Sequence, residues 1–530
     1  MSRILIVGSG LSAASAASAL VARGLRPTLV DVGLPPDPEA VELKNELAGT
    51  PPTRWRSDSL DRIRGMDAPS ACGIPRKRWF GSDFPFRSLP DDWDLQAVDV
   101  SMVRSYAEGG LSNVWGAALQ RVTAQQIADW PISLEELDPH YDSALAFMTL
   151  HGSGDGASAA RPKTDLEKNA PLLRPSLQAR AFLSDLERHR AELAQRGITF
   201  QPSQLAVQKE DHQETGCRYC GLCLFGCPFD CIYSASHTIR RLVSLGRVDY
   251  IPGTFIQTIE QKGGRTVVRA WNLRENRPEV MEASVVLIGA GVLSTARILL
   301  ESLRCYGKAL TIRHSDMFTL PFLRFQGAEG VSREALHTLC QVFIELHDDR
   351  ICRQSVHLQV YTYNDLYLPL ILKKLGAFGS LLRCPIRKVV ERLLMVFGYL
   401  PSDISSTVEV MLDPSRDHRV LLRGNRDVRS AKACEKAARR LLRDWRAFGG
   451  IPLTFHRAVD APGGGYHSGG SLPMSRHGRF PSTDLLGRVP QFEHVHVIDA
   501  SVFPTIPAVP TAFTVMANAH RIAALCAIPE

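Results

Sequence analysis

Apolar positions form short unbroken runs near both ends of the chain and longer, partly alternating runs through its middle. Arg3-Ile4-Leu5-Ile6-Val7 has the β-branched character of a fully buried parallel strand. The turn Gly8-Ser9-Gly10-Leu11-Ser12-Ala13 and an alanine-rich helix to about Arg23 follow it, and residues 27–31 predict a second strand ending in Asp31. Residues 285–300, VVLIGAGVLSTARILL, repeat the scheme of apolar strand, glycine turn and helix. Residues 254–260 and 266–270 predict short strands joined at Gly263-Gly264, and residues 338–346 and 356–363 predict longer ones. Residues 431–446 predict a basic amphipathic helix with Ser430 as its N-cap. Residues 153–161, rich in glycine, serine and alanine, form the best loop candidate, and the chain shows no internal repeat.

The order at the N-terminus carries specific chemistry. Gly8 permits a tight turn, Gly10 lets backbone approach a pyrophosphate, and Ala13 keeps the helix close to the strand. The amides of the helix N-terminus favour phosphate charge, and Asp31 is placed to accept from a ribose diol. A dinucleotide is therefore expected, but these residues do not choose between FAD and NAD. Composition adds little to this: 530 residues, 45% apolar and 22% charged, allow one large core or two that share an interface. A net charge of +7 with no basic stripe or recognition module argues against nucleic acid. The N-terminus lacks a secretory pattern and no apolar run is long enough to span a bilayer, so the expected location is the cytoplasm. Twelve unevenly clustered cysteines point to metal chemistry in a reducing compartment.

Further segments carry a family resemblance. They are GGLSNVWG at 109–116, GGGYHSGGSLPM at 463–474 and HVHVIDASVFPTIPAVPTAFTVMANAHRIA at 494–523. With the first turn they resemble the glucose–methanol–choline (GMC) family of FAD-dependent oxidoreductases. The resemblance is weak over 35–80, 150–210 and 310–400. It implies an α/β, two-domain protein: a Rossmann-like FAD domain assembled from discontinuous segments plus an antiparallel substrate sheet. The segments are 1–150, 236–305 and 456–530 for the FAD domain. Residues 151–210 form a linker and the start of the substrate domain, which continues over 306–455, and 211–235 form a cysteine loop. The resemblance further implies that Gly109, Gly110, Ser112 and Asn113 run along the cofactor, with Asn113 able to reach the isoalloxazine and Trp115 to wall it. Asp499 and Ala500 match the acid and turn that close the last flavin-domain strand.

His467 matches the family's catalytic histidine. An imidazole suits the removal of a hydroxyl proton while the carbon-bound hydride leaves to flavin N5; capping of a loop is the alternative role. The family places an asparagine or second histidine before a Pro-Thr pair near the C-terminus, but this chain has Val509 before Pro510-Thr511. Valine has no hydrogen-bonding side chain. Thr511, Thr514 and His456 are candidate substitutes, whereas His520 reads as packed or solvated.

CRYCGLCLFGCP at 217–228 sets Cys217, Cys220, Cys223 and Cys227 at ferredoxin spacing with Pro228 behind them. Three readings stay open: an iron–sulfur cluster, a zinc knuckle or inert thiols. The cluster is favoured as [4Fe–4S], with [3Fe–4S] also open, and Cys231, Cys72 or Cys352 is an alternative ligand. Beside a flavin, a cluster implies a dehydrogenase that hands electrons to a protein or quinone acceptor. Some sugar dehydrogenases of the family carry such a centre, which favours a sugar or glycoconjugate alcohol. The rival readings are a reductase or isomerase fed through the cluster and a non-catalytic electron-transfer subunit. Residues 366–400 mix leucines and phenylalanines with six basic side chains and one acid, broken by Pro369 and Pro385 into short helical pieces. They read as a helical lid or as a peripheral contact with the inner face of a membrane.

Overall fold

The structure is a computed structural model that describes residues 3–64, 77–89, 95–148, 173–209, 216–365, 367–368, 372, 383–416, 418–454 and 458–529. Cys72, the 153–161 loop candidate, His456 and much of 366–392 lie outside the described residues.

Five short strands from distant parts of the chain form one parallel sheet. Their order is Val495–Val497, Val285–Ile288, Ile4–Val7, Thr28–Asp31 and Asp249–Pro252. The strand Ile4–Val7 is buried throughout because it has a neighbour on each side and helices over its faces. The helix Leu11–Ala22 buries Ser12, Ala13, Ala16 and Ala17, and these small side chains let it lie close to the C-terminal helix Ala512–Leu525. Ser15 Oγ donates to the Met516 carbonyl across that contact at 2.6 Å.

A second, antiparallel sheet runs Ile198–Pro202, Val342–Leu346, Val356–Tyr361, Leu393–Tyr399, Met317–Arg324 and Gly450–Pro452. Its pleat separates two environments. Leu358, Val360, Leu394, Val396, Phe318 and Leu320 face a core covered by the helices Leu177–Arg188 and Val428–Arg443. The alternate positions face a large cavity. The protein is thus α/β with a Rossmann-like domain and a sheet-built substrate domain.

Several local expectations change. Residues 393–399, expected among short helical pieces, form a central strand of the substrate sheet. One side packs on the core and the other lines the cavity, so both carry apolar residues and the alternation is hidden. Among the described residues nearby, Arg383–Val390 is a helix, and residues 367–368 and 372 are also helical. The amphipathic helix begins earlier than expected, at Val428, and its N-cap is Asp427, which accepts from Arg429 N at 2.7 Å. Ser430 lies inside the first turn and donates to the Asp427 carbonyl. The strands joined at Gly263-Gly264 belong to a separate three-stranded meander with Arg277–Ala283. A further five-stranded sheet joins Ser468–Gly469, Leu310–His314, Thr407–Leu412, Val420–Asn425 and Leu95–Val98, linking the two domains. Among the described residues, no helix is long and apolar enough to cross a membrane.

Candidate active site

A cavity of about 1070 Å³ runs from the N-terminal glycine turn to the open face of the substrate sheet. Gly8 has φ +101°, and a Cβ there would stand 2.5 Å from the Gly289 carbonyl oxygen, so the two glycine turns meet only because this residue has no side chain. A Cβ on Gly10 would instead meet nothing within 4 Å. Gly110 lies against Gly10, 3.4 Å from it by the same measure, and Ser9 Oγ accepts from Gly109 N at 2.9 Å. The 109–113 turn is thereby tied to the first βα turn at the cavity wall.

Asp31 stands at the inner end of this cradle. It accepts from Ser9 Oγ, and from Tyr250 OH at 3.5 Å. Exclusion from bulk water pushes its pKa up to about 7, against the opposing pull of Ser9, backbone amides and Tyr250. A half-buried acid of this kind needs donors, and a ribose diol supplies two. Asp499 accepts from Gly291 N at 3.0 Å, Thr295 Oγ1 at 2.5 Å and Ser501 N at 2.9 Å, so it anchors the second glycine turn, while burial raises its pKa. Asp499 and Ala500 both line the cavity. The glycine cradle, the open space at Gly10 and the half-buried acceptor at Asp31 fit FAD.

Ala13 has the packing place that the sequence suggests, and Asn113 takes other work. Ala13 is buried inside its helix, away from the cavity. Asn113 turns its amide back into its own loop: Nδ2 donates to the carbonyls of Glu108 and Gly110, each at 2.8 Å. Ser112, Gly110 and Trp115 line the cavity, but Asn113 does not. Asn113 therefore braces the turn, and no cue in the sequence separates these two roles.

His467 opens onto the cavity where the two domains meet. Its strand is pinned to the turn after Asp499: Gly470 N, Leu472 N and Met474 N donate to the carbonyls of Ala500, Ser501 and Val502. A Cβ on Gly469 would lie 2.3 Å from the Ala500 oxygen, so that glycine permits the close approach. The imidazole stacks on Tyr399 with centroids 4.6 Å apart, and its Nδ1 is buried without a hydrogen-bond partner. Burial, with His357 nearby, pushes its pKa down to about 3, leaving it neutral and able to accept a proton.

Val509 is fully buried in the core. Thr514 is occupied with Tyr141 OH at 2.7 Å, which removes it as a substitute, while Thr511 lines the cavity. His520 pairs with His140, Nδ1 to Nδ1 at 2.9 Å.

Cys217, Cys220, Cys223 and Cys227 line one small cavity together with Cys231. Cys231 N donates to Cys227 Sγ at 3.3 Å. The Cys231 thiol and the amides of residues 231, 232 and 229 hold Cys227 down to about 7, whereas burial raises Cys220 and Cys223. Cys352 is elsewhere, donating to the Gln354 carbonyl at 2.9 Å in the core behind the substrate sheet. Among the described residues, no group of three or more His, Cys, Asp or Glu side chains is arranged to hold a metal ion.

The two cavities have no lining residue in common, but they lie close together. Leu224, Phe225, Lys77 and Thr338 face the large cavity, and Thr338 also donates to the Cys223 sulfur. Lys77 is buried and close enough to Cys223 and Cys227 to feel their charge; desolvation lowers its pKa to about 8, against the pull of those thiolates. Neither Lys77 nor Thr338 carries a sequence signal that connects it to the cysteine run.

Residues 411–519 match the family model described as GMC oxidoreductase, the C-terminal domain of that family. No curated protein matches the sequence. Among solved structures, pyridoxine 4-oxidase from Mesorbium loti is similar, with a TM-score of 0.59 and 14% identity over 99% of this chain and 98% of that one. That likeness speaks for the fold alone. The GMC C-terminal domain over residues 411–519 and the dinucleotide cradle together support an FAD-dependent oxidoreductase acting on CH–OH groups.

Proposed function

We propose that the protein is a dehydrogenase in which His467 removes the hydroxyl proton of an alcohol and the 217–231 thiols hold an iron–sulfur cluster. Gly8, Gly10, Asp31, Gly110, Ser112 and Asp499 hold or shape the place of FAD, which supplies the hydride acceptor when bound. His467 is neutral in its stacked position, so it can take the proton without first losing one. The thiols of Cys217, Cys220, Cys223 and Cys227 are the ligands, with Cys231 beside them; a cluster there supplies one-electron transfer towards a protein or quinone acceptor. The observation that carries this reading is the closeness of the two cavities: Lys77 and Thr338 face the large one and interact with Cys223.

The substrate end is walled by Met317, Pro321, Leu393, Met395, Phe397 and Leu453, with Thr319 and Gln359 as polar points on the same sheet face. A free sugar would leave hydroxyls unpaired against such a wall. A glycoconjugate whose apolar portion fills this end suits it better, and a location at a membrane's inner face would give access to one.

The test is iron and sulfide analysis with EPR on anaerobically purified protein. About four irons per flavin are expected for the favoured cluster, with a reduced-state signal lost in Cys220→Ser. Zinc without iron would overturn the electron path. Failure of every alcohol tried, sugars and lipid-linked glycans included, to bleach the flavin anaerobically would overturn the dehydrogenase.

A further inference from the structure

A charged row lies behind His467 and has no part in the chemistry so far described. Glu345, His357 and Tyr399 are direct cross-strand neighbours on three adjacent strands, so the pleat turns all three to the cavity side of the sheet. Glu345 is 14% exposed and His357 0%. His357 Nδ1 donates to Glu345 Oε1 at 2.7 Å, and Gln120 Nε2 donates to the same oxygen at 2.8 Å. Ser355 Oγ donates to Oε2 at 2.7 Å. Burial alone would raise the Glu345 pKa; His357 and these donors outweigh it and hold the group ionised.

The carboxylate can only accept, so Nδ1 of His357 carries a proton, and Nε2 is the ring nitrogen that does not bond Glu345. That Nε2 is buried without a partner, as is His467 Nδ1. Leaving a buried ring nitrogen bare is costly, and two near one another call for an explanation. Both rings pack on Tyr399, His467 at 4.6 Å and His357 at 6.2 Å between centroids. Phe343 closes the far side of His357 at 5.2 Å. Glu345, His357, Tyr399 and His467 are the titratable groups that face one another here.

We propose that Glu345 and His357 form a buried positioning pair for His467, supplying through Tyr399 the counter-charge that Val509 cannot. This rests on His467 being the base. The hydroxyl proton ends on His467, the carbinol hydrogen leaves as hydride to FAD, and Glu345 stays ionised throughout. His467 therefore gains one positive charge while the hydride carries the matching negative charge away from the carbinol carbon, and the fixed carboxylate offsets the charge on the imidazole where solvent does not reach. The same logic orders an imidazole and carboxylate in hydrolase triads, although here the oriented imidazole acts on a second one.

The test is stopped-flow flavin reduction by the bleaching alcohol across pH, comparing Glu345→Gln, Glu345→Asp and His467→Ala holoenzymes. Glu345→Gln is expected to slow reduction at least tenfold with little change in KM. Its acid limb should move to lower pH by about one unit, since a His467 without its counter-charge is less basic. Glu345→Asp keeps the charge and should recover most of the rate. A Glu345→Gln profile superimposed on that of the wild type, with His467→Ala inactive, overturns the pair and leaves the base assignment standing. A fully active His467→Ala overturns the base assignment itself. If Glu345→Gln fails to retain flavin, His357→Phe takes its place, with the same slowing expected and an unchanged rate overturning the pair.

Discussion

Lys77 Nζ donates to the backbone carbonyl of Trp115 at 2.8 Å, and this bond fixes the amine on the wall of the flavin cavity, close to Cys223 and Cys227. Trp115 is itself held, its Nε1 donating to the Tyr233 carbonyl at 2.8 Å. The sequence placed Trp115 at the wall of the flavin ring and gave no sign of Lys77. Together they set an amine that carries charge below about pH 8 near Cys223 and Cys227.

A charge in that place favours the reduced, more negative state of any centre beside it. Replacing Lys77 with Met should lower the midpoint potential of the cluster and slow its reduction after the flavin is reduced. An EPR-monitored redox titration measures the first and stopped-flow absorbance the second. Unchanged midpoints would mean that the ammonium only braces Trp115.

His467→Ala should cut flavin reduction by roughly 10²–10⁴, the usual weight of a general base. The visible flavin spectrum and thermal midpoint should stay close to those of the wild type, because Nδ1 makes no hydrogen bond to lose. Single-turnover bleaching separates this from a binding defect.

Asp31 makes cofactor affinity depend on pH. Its pKa is raised to about 7, so the folded protein without FAD keeps a proton that the unfolded chain gives up near pH 4. The stability it contributes is therefore present below pH 4 and is lost as pH rises through 7. Ribose hydroxyls donate to the ionised form, so FAD binding releases that proton. Affinity should climb from pH 5.5 towards 7, by up to about tenfold per unit, and then level off. Fluorescence titration of the apoprotein should show this slope in the wild type and a flat line in Asp31→Asn.

Gly8→Ala tests the meeting of the two glycine turns. The new Cβ would face the Gly289 oxygen at 2.5 Å from a backbone with φ +101°, so backbone must move. Loss of bound flavin and a lowered thermal midpoint are expected. A Gly10→Ala protein, whose Cβ meets nothing within 4 Å, should fold normally yet bind FAD more weakly. Differential scanning calorimetry and flavin content distinguish the two.

The features legible in the sequence were those governed by neighbours along the chain. The first βα turn, Asp31 at a strand end and the hairpin at Gly263-Gly264 follow from backbone conformations that only certain residues adopt cheaply. The cysteine spacing was legible for the same reason: a short loop can bring its own thiols together. Ser430 misled because a serine before a helical run resembles a cap, while Asp427 lay one turn earlier. Residues 393–399 misled because a strand buried on both faces shows no alternation.

The sequence alone determined the chemistry available: a dinucleotide cradle, a run of thiols and a histidine in a glycine-rich turn. Tertiary structure decided which of these groups meet. Cross-strand register put Glu345 under His357 and His357 beside Tyr399, although 54 residues separate Glu345 from Tyr399. Domain packing brought Lys77 and Thr338 to the cysteines and turned Asn113 away from the cavity. The reason is physical: turn and strand preferences act over a few residues, whereas the charge and hydrogen bonding that tune a base or a metal site act across space between segments far apart in the chain.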